Sequence, residues 1–90
     1  MEDKKVSKYQ LIESYIVEGI QSNHYKVNDI LPTEAELAEK FNCSRVTVRQ
    51  ALSNLAYKGI IYRIQGKGSF VSKENTLKRS PLLKVYRRYS

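Results

Sequence analysis

The sequence predicts a small, mostly helical α+β domain, with three short helices followed by a two-stranded β-hairpin. Three observations carry that prediction. Apolar residues recur at helical spacing in three separate stretches, and each stretch opens on a side chain suited to cap a helix. A fourth apolar stretch is split by Gly66 and Gly68, the residue type that a tight hairpin turn needs. Ninety residues are enough for one compact core.

The first helix is expected over residues 8–22. Ser7-Lys8-Tyr9-Gln10 is an S-x-x-Q capping box, in which the serine bonds forward to an orphan N–H and the glutamine bonds back. Tyr9, Ile12, Ile16 and Ile20 form its apolar stripe, with Leu11 and Tyr15 alongside. Tyr15 and Tyr25 are aromatic surfaces on which a base can stack, but tyrosines at this spacing belong more naturally to core or rim. Residues 23–30 form a turn-rich connector. His24 lies there with no ligand partner near it in sequence and is assigned to the surface.

The second helix, residues 33–41, starts on a second capping box, Thr33-Glu34-Ala35-Glu36. Leu37, Ala38 and Phe41 supply its inner face, and Asn42-Cys43-Ser44 make a turn. The third helix, residues 45–58, has Ser44 as N-cap and Gly59 in the place of a left-handed stop. Val48, Ala51, Leu52 and Leu55 fall at i, i+3, i+4 and i+7 and form its buried stripe. At 100° per residue, Val46, Arg49, Gln50, Ser53 and Tyr57 lie opposite that stripe, with Arg45 on its flank. Such a face suits the major groove of DNA. Arginine forks onto guanine, glutamine pairs with adenine, and a methyl-bearing side chain touches thymine. Two short helices joined by about three residues make a helix-turn-helix unit.

Ile60-Ile61-Tyr62-Arg63-Ile64 and Ser69-Phe70-Val71-Ser72 are expected as strands around Gln65-Gly66-Lys67-Gly68. A tip without side-chain bulk at Gly66 and Gly68 can approach a sugar-phosphate backbone or a minor groove, with Lys67 adding charge. The same tip is also compatible with a plain solvent-exposed turn. It is not a phosphate-binding loop, because no helix follows.

Charge is unevenly distributed. Residues 1–39 hold four Lys/Arg against eight Asp/Glu, net −4; residues 40–90 hold twelve against one, net +11, which gives the overall +7. A basic half built around an exposed helix points to a polyanionic partner. No apolar run approaches the twenty residues of a membrane span, and the polar start Met1-Glu2-Asp3-Lys4-Lys5 does not resemble a signal peptide, so a cytoplasmic, nucleoid-associated setting is expected. Cys43 is the only cysteine, so an internal disulfide is excluded, and it is read as a small buried hydrophobe. With one His, one Cys and no nucleophile beside a base, the sequence carries no catalytic constellation, metal site or cofactor motif. Glu34, Glu36 and Glu39 share a helix and are assigned to capping and surface charge.

The stretch LPTEAELAEKFNCSRVTVRQALSNLAYKGIIYRIQGKGSFV, residues 31–71, resembles the winged helix-turn-helix domain of GntR-family bacterial transcription regulators. The matching positions are Leu31, Pro32, Glu34, Glu36-Leu37-Ala38, Phe41, Ser44-Arg45, Thr47-Val48-Arg49, Ala51-Leu52, Leu55, Gly59, Gly66, Gly68 and Phe70-Val71. Including the preceding helix, the resemblance covers roughly residues 9–71.

The resemblance implies sequence-specific binding of double-stranded operator DNA by a transcription regulator, read as a repressor and not as an enzyme. The implied contact set is Thr33, Glu34, Ser44, Arg45, Val46, Thr47, Arg49, Gln50, Ser53, Gln65, Gly66, Lys67 and Gly68. Arg45 and Arg49 match the family's guanine readers. Some members carry a long polar side chain where Ala35 stands, and alanine cannot reach DNA in that way. The family usually has glycine where this chain has Asn23, Asn28 and Asn42, proline at Val27 and valine at Cys43. Asparagine is the non-glycine residue that best tolerates positive φ, so the three asparagines keep the same backbone requirement.

The resemblance also implies a division into a DNA-binding domain, residues 1–72, and a basic tail, residues 73–90. The tail would lead toward a C-terminal domain that binds a small-molecule effector and dimerises. That domain lies outside these 90 residues, which are therefore expected to be monomeric alone and dimeric on DNA or in the longer protein. Two other readings stay open on sequence grounds. A winged helix also serves for protein or structured-RNA contacts, and some relatives fuse this module to an enzyme-like domain.

Overall fold

The computed structural model describes residues 7–73, so the expected tail from Glu74 onward lies outside the described residues. The elements in chain order are α1 (Lys8–Gln21), α2 (Glu34–Phe41), α3 (Arg45–Tyr57), β1 (Ile61–Ile64) and β2 (Gly68–Val71). Each helix starts where the sequence placed its cap. Ser7 Oγ accepts from Gln10 N and Thr33 Oγ1 from Glu36 N, and both boxes are closed by the return bond from the N3 side chain. Ser44 Oγ accepts from the N–H of Thr47. The expected ends at 22 and 58 are one residue long, because Ser22 and Lys58 are the caps.

All three helices stop in the same way. The residues after the last turns of α1, α2 and α3 are Asn23 (φ 69°), Asn42 (φ 53°) and Gly59 (φ 80°). The next N–H in each case reaches back across the turn: His24 to Gly19 O (2.8 Å), Cys43 to Ala38 O (3.0 Å) and Ile60 to Leu55 O (3.0 Å). This is the Schellman arrangement, which satisfies carbonyls that the helix leaves without partners. Asn28, at φ 70°, turns the connector, where Asp29 N donates to Lys26 O and Lys26 N to the Asp29 carboxylate.

The core forms where the three stripes meet. Ile12, Ile16 and Ile20 from α1, Leu37 from α2, and Val48, Ala51, Leu52 and Leu55 from α3 are buried together with Leu31, Ile61 and Val71. Side chains of this size contribute about 1.5–3 kcal/mol each when fully buried. Polar ties fix the helices against each other. Asn54 Nδ2 donates to Glu13 Oε2 at 2.8 Å, Lys58 Nζ lies 3.7 Å from Glu13 Oε1, and Lys8 Nζ donates to Phe41 O at 2.7 Å. Tyr15 meets Phe41 edge-on at 5.6 Å, and Tyr25 packs against the core, so both tyrosines take the core-or-rim assignment. Leu11, beside the stripe, is 41% exposed, and Cys43 is only half-buried, less enclosed than its reading as a core residue.

β1 and β2 pair antiparallel in the register Ile61↔Val71 to Ile64↔Gly68. The turn closes with Lys67 N donating to Ile64 O at 2.9 Å, Gly66 holding φ 83°. The connector does more than the sequence indicated. Ile30 bridges Phe70, Asn28 N donates to Val71 O, Leu31 N to Ser69 O and Val71 N to Asp29 O. β2 is therefore bonded on both sides, and the hairpin is anchored to the stretch that leads into α2.

Candidate nucleic-acid interface

α2, the first turns of α3 and the hairpin enclose an open cleft whose charged lining is Glu34, Arg45, Arg49, Arg63 and Lys67. Four cations face one carboxylate. The array arises from local rules already described: Thr33 starts α2 so that Glu34 is its first residue, Ser44 starts α3 at Arg45, and Gly66 lets the chain reverse so that Lys67 returns beside the cleft.

Along α3, Arg45, Val46, Arg49, Gln50 and Ser53 are exposed on the side away from the core stripe. Val46, an apolar residue, keeps 68% of its surface in solvent. Tyr57 is 93% exposed. It sits twelve residues beyond Arg45, about 18 Å along the axis at 1.5 Å per residue, and so at the opposite end of the helix. The hydroxyls of Ser44 and Thr47 lie 3.1 Å apart and bond to each other, Thr47 being half-buried. Thr33 Oγ1 is occupied as a cap acceptor, 3.0 Å from Glu36 N. At the turn, Gln65, Gly66, Lys67 and Gly68 are all exposed.

Glu34 is the electrostatic centre of the cleft. Its Oε1 accepts from Arg49 Nη2 at 3.0 Å, and its Oε2 accepts from Arg49 Nε at 3.3 Å and from Arg63 Nη2 at 2.7 Å. The Arg49 hydrogen bonds hold the carboxyl below the usual carboxylate range; partial burial opposes this, and Arg63 reinforces it. The same bonds push the Arg49 guanidinium further toward its charged form. The resemblance put Glu34 and Arg49 in one contact set, but the reading of Glu34 as capping and surface charge is corrected by its pairing with Arg49, and Arg63 was missed. A signal was present: strand side chains alternate between faces, so Arg63 shares the face of buried Ile61 and points toward the helices.

Among the described residues no group of three or more His, Cys, Asp or Glu is placed to hold a metal ion, and no helix is long and apolar enough to cross a membrane. His24 is exposed, with its ring 4.8 Å from that of Tyr25.

Comparison with known proteins agrees with this geometry. The model for bacterial regulatory proteins of the gntR family matches residues 8–71. The arabinose metabolism transcriptional repressor of Geobacillus stearothermophilus is 44% identical over 73 residues, covering 81% of this chain and 20% of that protein. The transcriptional repressor NagR of Bacillus subtilis is 48% identical over 65 residues, covering 72% of this chain and 26% of its own length. The chain thus spans about a fifth to a quarter of these relatives. Among solved structures, the AraR DNA-binding domain in complex with operator ORR3 superposes with a TM-score of 0.76 at 32% identity, covering 80% of this chain and 87% of that one. The fold is accordingly the winged helix-turn-helix, with α2 and α3 as the helix-turn-helix and the β1–β2 hairpin as the wing. From the family match across three helices and both strands, the chain belongs to the gntR family of bacterial regulatory proteins.

Proposed function

We propose that this chain is the operator-reading module of a transcription regulator acting as a repressor, with α3 in the major groove and residues 65–68 of the wing against the backbone or minor groove. The observation that carries this reading is the cleft lined by Arg45, Arg49, Arg63 and Lys67 beside the exposed face of α3. The solved complexes of the AraR domain with operators support it, as do the repressor names of the relatives.

In this reading Arg45 and Arg49 contact guanines, Gln50 assists, and Val46 offers its methyls to a thymine. Ser44, Thr47 and Ser53 position the helix on phosphates, while Thr33 and Glu34 border the contact at the start of α2. Residues 1–72 form the DNA-binding unit. Residues 73–90 lead toward a domain that takes a small-molecule effector and holds two copies together, and the module itself has no catalytic role and works in the cytoplasm. Alone it is a monomer, and two copies meet on a two-fold symmetric site.

The test is Arg49→Ala against a duplex selected from a random library with the wild-type protein. The selected-to-scrambled affinity ratio should fall by the equivalent of about 1–3 kcal/mol. An unchanged ratio removes Arg49 from the base readers. Sedimentation of the free chain tests the monomer; a stable dimer without DNA overturns it.

A further inference from the structure

We infer that Glu34 and Arg63 are positioning residues that fix the orientation in which Arg49 meets its base, so that the wing sets the geometry of the reading helix. The inference rests on the reading of Arg49 as a base contact and deepens it.

Arginine has five N–H donors in a planar fork on a long stem, and much rotamer freedom to lose. The Arg49 side chain is 54% exposed, yet Glu34 holds it side-on through Nε at 3.3 Å and Nη2 at 3.0 Å. Those two bonds use the Nε–H and one Nη2–H. The three N–H groups left are the pair on Nη1 and one on Nη2, the end-on fork that matches the O6 and N7 acceptors of guanine.

Glu34 is itself fixed. It is the first residue of α2, behind the closed capping box of Thr33, and its side chain is only 22% exposed. From the wing, Arg63 on β1 donates to Glu34 Oε2 at 2.7 Å. Arg63 also solves a problem that Glu34 creates. A lone carboxylate facing DNA repels phosphate, whereas the three-residue group of Glu34, Arg49 and Arg63 carries a net positive charge. Exposed ion pairs contribute little to stability as a rule, so the value of this one lies in what it orients. Glu34 of α2 holds Arg49 of α3, and Arg63 of β1 holds Glu34 in turn.

The experiment uses Arg49→Ala, Glu34→Gln, Arg63→Ala and Arg63→Lys with three probes: the selected duplex, the same duplex with single guanines replaced, and a scrambled duplex. Each is titrated over a range of salt, with thermal melting to verify folding. Glu34→Gln and Arg63→Ala should both lose about 3- to 30-fold of the discrimination at the one guanine that Arg49→Ala also affects, a part of the value of a bidentate pair. Their binding to scrambled DNA should move in opposite directions, stronger for Glu34→Gln and weaker for Arg63→Ala, because one removes a negative charge and the other a positive one. Arg63 holds Glu34 through a single donor, so Arg63→Lys, which keeps the charge and a donor, should keep a near wild-type salt slope and more of the discrimination than Arg63→Ala. The double variant Glu34→Gln/Arg63→Ala should discriminate no worse than the weaker single.

If Arg49→Ala loses discrimination while Glu34→Gln and Arg63→Ala keep the wild-type ratio, the positioning role is overturned and the base contact stands. Equal weakening on every duplex by folded Arg63→Ala also overturns it, marking a wing brace only. If Arg49→Ala keeps the ratio, the base contact fails and the positioning role falls with it.

Discussion

A Cβ placed on Gly19 would lie 2.5 Å from Cδ2 and 2.6 Å from Cε2 of the Tyr25 ring. The ring thus rests on the backbone of α1, and the Tyr25 N–H donates to Gly19 O at 3.0 Å. Burial there, then a hydrogen bond with Tyr15, push the Tyr25 hydroxyl up to about 12. Alanine in place of a helical glycine ordinarily stabilises by about 1 kcal/mol. At this position the overpacking term outweighs it, and Gly19→Ala should lose about 1–3 kcal/mol in urea unfolding. A gain would mean that the Tyr25 ring can swing off the helix at little cost.

Asn42 separates the two helices of the helix-turn-helix with φ 53°. Alanine in the left-handed region costs about 1–2 kcal/mol, and glycine nothing steric. Asn42→Ala should therefore lower the denaturation midpoint by an amount equivalent to about 1 kcal/mol, and Asn42→Gly should stay near wild type. Equal loss in both would assign the role of Asn42 to its side chain instead of its backbone.

Lys67 stands at the exposed tip of the wing, and in the proposed binding mode it would meet phosphate and carry no sequence information. Lys67→Ala should weaken selected and scrambled duplexes alike and flatten the slope of log K against log salt by about 0.9, the value of one phosphate no longer neutralised. A slope equal to that of wild type would take Lys67 off the backbone.

The Glu34 carboxyl is held low by its hydrogen bonds from Arg49 and Arg63. A carboxyl with a folded value below its unfolded one, about 4.3 for glutamate, adds stability that is complete above that value. The contribution disappears as pH falls through the lowered folded value. Comparing wild type with Glu34→Gln in denaturant between about pH 6 and pH 2, the variant should show the shallower acid loss. Parallel curves would mean that the carboxyl is equally solvated in both states.

Helix starts and stops were legible because they depend on residues adjacent in sequence. Ser7, Thr33 and Ser44 cap as their positions indicate; the positive φ of Asn23, Asn28 and Asn42 was implied by the family's glycines at those positions. The buried stripes followed from period alone. The Glu34–Arg49–Arg63 group was legible only in part: strand alternation turns Arg63 inward, but the meeting of positions 15 and 29 residues apart on three elements is encoded by no local pattern. The pairing of the connector with β2 was hidden for the same reason. Residues 28–31 look like turn and linker, and their strand character comes only from Ser69, Phe70 and Val71 lying alongside.

That double pairing of β2 governs how the wing moves. Local opening of a protein is set by the bonds that must break together. The amides of Leu31 and Val71, bonded to partners about forty residues away, should exchange with solvent only when the whole domain unfolds. Those of Gln65 and Gly66, at the exposed turn, should exchange almost as an open chain does. The wing is then a stiff arm with a soft fingertip. In the proposed binding mode, closing the wing on a duplex would cost the entropy of the few residues at the tip, since the arm behind them is ordered when the domain folds.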